Sequence, residues 1–194
     1  MIVRIGLALV IASALWLALS VTIVLWPPAT LALVIAAATL ARGVVPSPRA
    51  VLRVTRRHLR AGYLWGVVNG VLLALVCALD RSAPLAERVS PGVETAVEIA
   101  AIIWAVLQLY ALPLLLVQRD GRMLSAWRSA ALMALASPFN TALMGLLAAL
   151  IASAARTWPL PGLLIAPGLL ALLGSAVVKS RLSAYGHPAD PPIA

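Results

Sequence analysis

Residues 95–118 read TAVEIAAIIWAVLQLYALPLLLVQ, and after Glu98 no charge appears until Arg119. A membrane-crossing β-strand needs about 9–11 residues and alternates its two faces. This stretch runs well past that length and is apolar on every side. A bilayer core of about 30 Å takes about 20 helical residues. Hydrocarbon offers no partner to backbone N–H and C=O groups, so the segment reads as a transmembrane helix. Pro113 falls late in it and predicts a kink.

The rest of the chain is built the same way. Of its 194 residues 63% are hydrophobic and 11% charged, with a mean hydropathy of +1.03. A soluble domain carries about a quarter charged residues. So much apolar surface cannot be hidden inside a small globule, and lipid removes the contradiction. The fold class expected is all-α, a polytopic transmembrane bundle of six spans plus one cytoplasmic amphipathic basic helix. It forms one domain over 1–181. Residues 182–194, Pro-rich from His187 onward, read as a disordered cytoplasmic tail.

The first span is expected from Ile5 to Trp26. A cleaved signal peptide ending at Ala18-Leu19-Ser20 is the competing reading. It is opposed by the apolar run from Val21 to Leu25 and by a basic start of Arg4 alone. Pro27-Pro28 is expected to break the helix and form the tip of a hairpin. A short second span follows over Ala29–Gly43, stopped by Pro46 and Pro48. The third runs from Gly62 to Leu79, with Tyr63 and Trp65 as interfacial anchors. Asp80–Pro91 is a polar loop, and the fourth span is the stretch quoted above. Met123–Ala136 is a helix carrying Arg128. The fifth span is Phe139–Ala155, Trp158–Gly162 is a turn, and the sixth is Leu163–Val178. A five-span alternative joins Ile5–Gly43 into one broken helix.

Arginines order these spans across the membrane. Arg42–Arg60 holds six arginines and no acid, and Arg119–Arg128 three arginines and one aspartate. Lys179 and Arg181 follow the last span, whereas the loop from Asp80 to Glu98 is net acidic. The positive-inside rule then puts the basic segments and both termini in the cytoplasm. This placement also accounts for the net charge of +9 without nucleic acid. Within Ser47–Ala61, Arg49, Arg53, Arg56 and Arg60 follow helical spacing with Arg57 beside them. Val51, Leu52, Thr55 and Leu59 fall largely on another face, and Ser47-Pro48 makes a helix start. This basic helix suits an anionic lipid surface or a partner protein.

No catalytic constellation is present, and no cofactor or metal is expected. His58 and His187 have no suitable neighbours in sequence, and no phosphate-binding glycine loop occurs. Cys77, alone in an apolar run, reads as a small packing residue. Glu94 and Glu98 sit on the first turns of the fourth span, where they complement the helix dipole. Uncharged polar residues inside spans are the remaining clue: Asn69, Gln108 and Asn140. Interhelical hydrogen bonds are the first reading for them and a polar substrate path the second. Gly66-x-x-x-Gly70 allows close helix approach within the bundle or in a homo-oligomer. The Trp-Pro turns at Trp26 and Trp158 form a weak echo, more simply explained as anchors and turn formers than as a repeat.

The order of features resembles the YesL-like family of bacterial integral membrane proteins, a domain of unknown function. Trp26-Pro27-Pro28-Ala29-Thr30 leads into the second span, and Leu112-Pro113-Leu114 precedes a charged turn. Ser125-Ala126-Trp127-Arg128-Ser129-Ala130 then leads into a further helix. Pro28-Ala29-Thr30 is the most specific part, although Pro27 stands where the family usually has Gly. The resemblance covers the chain to about Arg181. It implies a bacterial cytoplasmic membrane protein and an accessory role in carbohydrate import, with ABC importer components as partners. It supplies no catalytic residue. The chain lacks the Glu-Ala-Ala-type coupling loop of a core permease. The readings carried forward are a non-enzymatic accessory protein and, as the alternative, a small-molecule transporter or channel subunit.

Overall fold

The computed structural model describes residues 2–81, 91–118 and 120–184. All secondary structure among them is α-helical. The helices are α1 (Ile2–Ser20), α2 (Trp26–Leu40), α3 (Pro48–Arg57), α4 (Leu59–Arg81), α5 (Pro91–Val117), α6 (Met123–Ala136), α7 (Pro138–Thr157) and α8 (Pro159–Ala184). Four segments are long and apolar enough to cross a bilayer: Leu59–Val76, Thr95–Val117, Pro138–Thr157 and Leu164–Ala184. Arg4–Ser20, Trp26–Leu40 and Met123–Ala136 are shorter apolar helices. Large apolar side chains such as Leu146, Leu150 and Phe139 are exposed along α7, as a lipid-facing helix requires. The chain is a multi-pass membrane protein.

α2 is the hub. Its 15 residues span about 22 Å, and it packs against α1, α3, α4, α5 and α8. Ten of the 15 are buried, including Leu31, Ile35 and Ala37. A helix too short to cross alone is thus jacketed by neighbours. α2 and α8 run parallel. Thr30 and Ala166 line one cavity toward one end, while Lys179 Nζ lies 3.5 Å from the Ala41 carbonyl at the other. α1 runs antiparallel to both, because Gly168 abuts Leu9 and Ser13 while Trp16 reaches Thr30. One end of the bundle therefore carries Arg42 and Lys179, and the other carries Trp26 and Pro159.

Several expected boundaries shift. α1 ends at Ser20, and residues 21–25 form turns before Trp26. Pro27 and Pro28 lie inside the first turn of α2 rather than at a hairpin tip. The first helical N–H groups have no intrahelical acceptor, so proline loses nothing there. The turn expected over Trp158–Gly162 contracts to Trp158 alone, and Pro159 opens α8 by the same logic. Arg60 belongs to α4, because the chain bends at His58 (φ −104°, ψ 10°). Ser47 occupies the N-cap of α3, but its side chain makes no capping bond. α8 continues through Leu182–Ala184, three residues past the expected start of the tail. The rest of the tail and the loop over 82–90 lie outside the described residues, as do the side chains of Cys77, Glu94 and Glu98.

Small residues set the close approaches. A Cβ on Gly62 would strike the Leu31 side chain, and one on Gly66 the Pro27 ring. Gly62-x-x-x-Gly66 is thus the stripe that seats α4 on α2, one step earlier than Gly66-x-x-x-Gly70, since nothing lies within 4 Å of a Cβ at Gly70. Pro113 cannot bond the Leu109 carbonyl four residues back. Gly174 of α8 lies against that same oxygen, so the proline's freed acceptor is where the backbones of α5 and α8 touch.

Candidate functional site

Two helices carry the same short pattern, a tryptophan followed four residues later by an amide: Trp65 and Asn69 on α4, Trp104 and Gln108 on α5. The two pairs cross. Trp65 Nε1 donates to Gln108 Oε1 at 2.8 Å, and Trp104 Nε1 donates to Asn69 Oδ1 at 3.0 Å. Trp127 of α6 adds a second donor to Gln108 Oε1 at 3.2 Å. Asn69 Nδ2 donates back to the Trp65 carbonyl at 2.8 Å. An indole nitrogen can only donate, so the atom facing it must be the amide oxygen. Both amide orientations are fixed on that ground.

The rings also stack against one another. Trp26 and Trp65 lie 5.2 Å apart at 51°, and Trp104 and Trp127 lie 5.5 Å apart at 50°. Tilted pairs at this spacing satisfy the ring quadrupoles. Among the described residues the backbones of α4 and α5 are not in close contact, so the indoles bridge them with α6 beside. Trp65 is therefore not the interfacial anchor expected: it is 7% exposed and ties three helices together. Trp158, by contrast, is 72% exposed.

Beside this network lies a cavity of about 570 Å³. α1, α2, α4, α5, α7 and α8 all contribute to its wall, with Leu33, Leu112, Pro113, Ala166 and Leu170 among the apolar lining. Among the described residues no charged residue lines it, and its polar side chains are four: Trp16, Thr30, Trp65 and Gln108. Three of these are engaged. Trp16 Nε1 donates to Thr30 Oγ1 at 3.0 Å, and Thr30 Oγ1 donates to the Trp26 carbonyl at 2.9 Å. Trp65 is bonded as above. Gln108 Nε2 is buried and finds no hydrogen-bond partner among the described residues. Ala152 of α7 and Pro159 of α8, also in the wall, are exposed, so the cavity wall extends to the surface of the bundle.

Of the polar residues singled out in sequence, Asn69 and Gln108 thus meet in one network. Asn140 does not join them: it is exposed near the start of α7. Trp16 was not singled out in sequence, and Thr30 only as part of the Pro28-Ala29-Thr30 entry to α2. The repeated tryptophan-to-amide spacing on two spans was the signal available for the network.

At the opposite end Arg49, Arg53, Arg56, Arg57 and Arg60 are all exposed. Thr55 and His58 are buried, and Val51 and Val54 pack against the core. His58 is 8% exposed and sits against Gly121, whose positive φ of 58° closes the turn before α6. Burial, and secondarily the Arg57 charge, hold its pKa below the ordinary 6.5. Among the described residues no group of three or more His, Cys, Asp or Glu could hold a metal. Set against models of known protein families, curated proteins and solved structures, the chain matches none.

Proposed function

We propose that this chain binds a neutral, lipid-soluble molecule inside the bilayer, as a carrier or as the binding subunit of a transporter. The cavity carries the reading. Its volume of about 570 Å³ lies within the usual range for small-molecule sites, about 300–1,000 Å³. An ion or carboxylate entering it would meet no opposite charge, at a desolvation penalty of several kcal/mol. A sugar would bring many hydroxyls to a wall whose polar groups are mostly bonded to one another. An apolar molecule meets neither penalty and can approach from the lipid, where Ala152 and Pro159 of the wall are exposed. The reading requires no reaction.

In this proposal α1, α2, α4, α5, α7 and α8 are the six spans. The arginine end faces the cytoplasm, and α3 lies along that surface as an amphipathic helix. The parallel course of α2 and α8 supports this topology, since it puts Arg42 and Lys179 on one side. Trp16 and Trp65 in the wall report occupancy. Brominated alkanes added to the purified chain should quench tryptophan fluorescence saturably. Ala166→Trp should abolish that quenching with helix content unchanged. Quenching that does not saturate, or that Ala166→Trp leaves intact, would sink the reading.

A second reading rests on the resemblance to YesL-like proteins together with the five exposed arginines of 49–60. It makes the chain an accessory to carbohydrate import, with Arg49, Arg53, Arg56, Arg57 and Arg60 as the docking surface for an importer ATPase. Co-purification of an ATPase, lost on replacing Arg53, Arg56 and Arg57 by Gln at unchanged membrane insertion, is the expected result. Wild-type yield of the ATPase with that variant would remove it.

A further inference from the structure

The C-terminal end of α2 builds a second, different site. Gly43, at φ 77°, donates to the Leu40 carbonyl at 2.8 Å, and Val44 N–H donates to the Thr39 carbonyl at 3.3 Å. This pair of bonds is a Schellman turn, and the left-handed residue at its centre suits glycine. The turn folds residues 44–47 and the start of α3 back over α2. Between them runs a groove of about 430 Å³ with Ile35, Val44, Val45 and Val51 in its wall and Arg42 beside them. Arg42 also borders a smaller cleft shared with Lys179.

The two cations are held near each other by the same helix end. Arg42 Nε donates to the Ala38 carbonyl at 3.3 Å, and Lys179 Nζ reaches the Ala41 carbonyl at 3.5 Å. Positive charge at a helix C-terminus is favourable, which fixes where both side chains stand. Nε is the only part of the Arg42 guanidinium that bonds among the described residues. Its terminal nitrogens remain as a fork suited to a phosphate. Val44 and Val45 are 57% and 58% exposed beside this charge. A cation next to an apolar groove matches a molecule with a phosphodiester and a hydrocarbon chain.

We propose that this groove binds one phospholipid with an anionic headgroup, its phosphate on Arg42 and Lys179 and an acyl chain along Ile35, Val45 and Val51. The site is distinct from the general attraction of the α3 arginines, which face outward and act on any anionic surface within a Debye length.

The test is native mass spectrometry of the purified full chain, released from detergent carrying phosphatidylglycerol or phosphatidylcholine of identical acyl chains. One phosphatidylglycerol should be retained in preference, by roughly fivefold per engaged cation. Arg42→Gln should lower that preference by roughly fivefold, Arg42→Lys should restore part of it, and Arg42→Gln/Lys179→Gln should bring retention to the phosphatidylcholine level. Val45→Trp, at an exposed position the fold tolerates, should expel both lipids by filling the groove. Arg53→Gln/Arg56→Gln/Arg57→Gln should leave the preference for one lipid intact. Glycerol phosphate, which lacks the hydrocarbon, should not be retained. The proposal is overturned if Arg42→Gln keeps the full preference, if the Arg42→Gln/Lys179→Gln variant still prefers phosphatidylglycerol, if the α3 triple variant abolishes the preference, if Val45→Trp still holds lipid, or if glycerol phosphate binds equally.

Discussion

A buried indole N–H needs an acceptor, and here Trp65 and Trp127 share one, the Gln108 oxygen. Interhelical hydrogen bonds in membranes contribute about 0.6–2 kcal/mol, because the unfolded state in lipid finds partners too. Gln108→Leu removes the acceptor of both donors and should cost about 1–3 kcal/mol. Trp65→Phe should cost less, since Trp127 keeps its acceptor. The double variant should cost less than the sum of the singles, as expected for residues in one network. Unfolding in mixed micelles measures all three. Additive losses would show that the residues do not act together. His58 gives a pH dependence of definite sign. Its pKa is lowered in the folded state, so the unfolded chain binds the proton more readily. Its contribution is complete above 6.5 and is lost as pH falls through that value toward the lower folded pKa. His58→Gln should flatten stability against pH in that window, and an unchanged profile would contradict the assignment.

At the scale of elements, glycine spacing decides how α4 sits on α2. Gly66→Leu drives a side chain into the Pro27 ring, and overpacking of this kind costs about 1–3 kcal/mol. Gly70→Leu enters open space and should be near neutral or slightly stabilising. Thermal unfolding of the two variants in detergent separates them, and equal losses would mean that α4 packs through the later pair. In sequence the two spacings are equivalent, because Gly62, Gly66 and Gly70 all lie on one helix face. Pro27 makes the difference. Its ring, presented by a neighbouring helix, fills the space that a side chain at Gly66 would need.

For the molecule as a whole, the proposed topology makes a direct prediction. A probe in the Arg49–Arg60 stretch and a tag after Ala194 should be reached from the same face of the membrane, and a probe at Trp158 from the other. Impermeant labelling of single-cysteine variants in a Cys77→Ser background reads this directly. Opposite faces for the first two would contradict both span counts, whereas a probe ahead of Arg4 reached from the Trp158 face would favour the five-span arrangement.

All-α architecture and membrane residence were legible from residues alone. Hydropathy is a property of each side chain, and lipid forces any long apolar segment to bond its own backbone. The arginine-rich stretch and the polar residues Asn69 and Gln108 stood out for the same reason, as local departures from that apolar background. Tertiary structure alone decided that Trp65 faces inward, that Asn69 and Gln108 meet while Asn140 stays apart, and that Arg42 and Lys179 share one helix end. These are contacts between residues up to 138 positions apart. Composition and periodicity report what a segment prefers, whereas a cavity or a crossed pair of indoles exists only once several helices have chosen their neighbours.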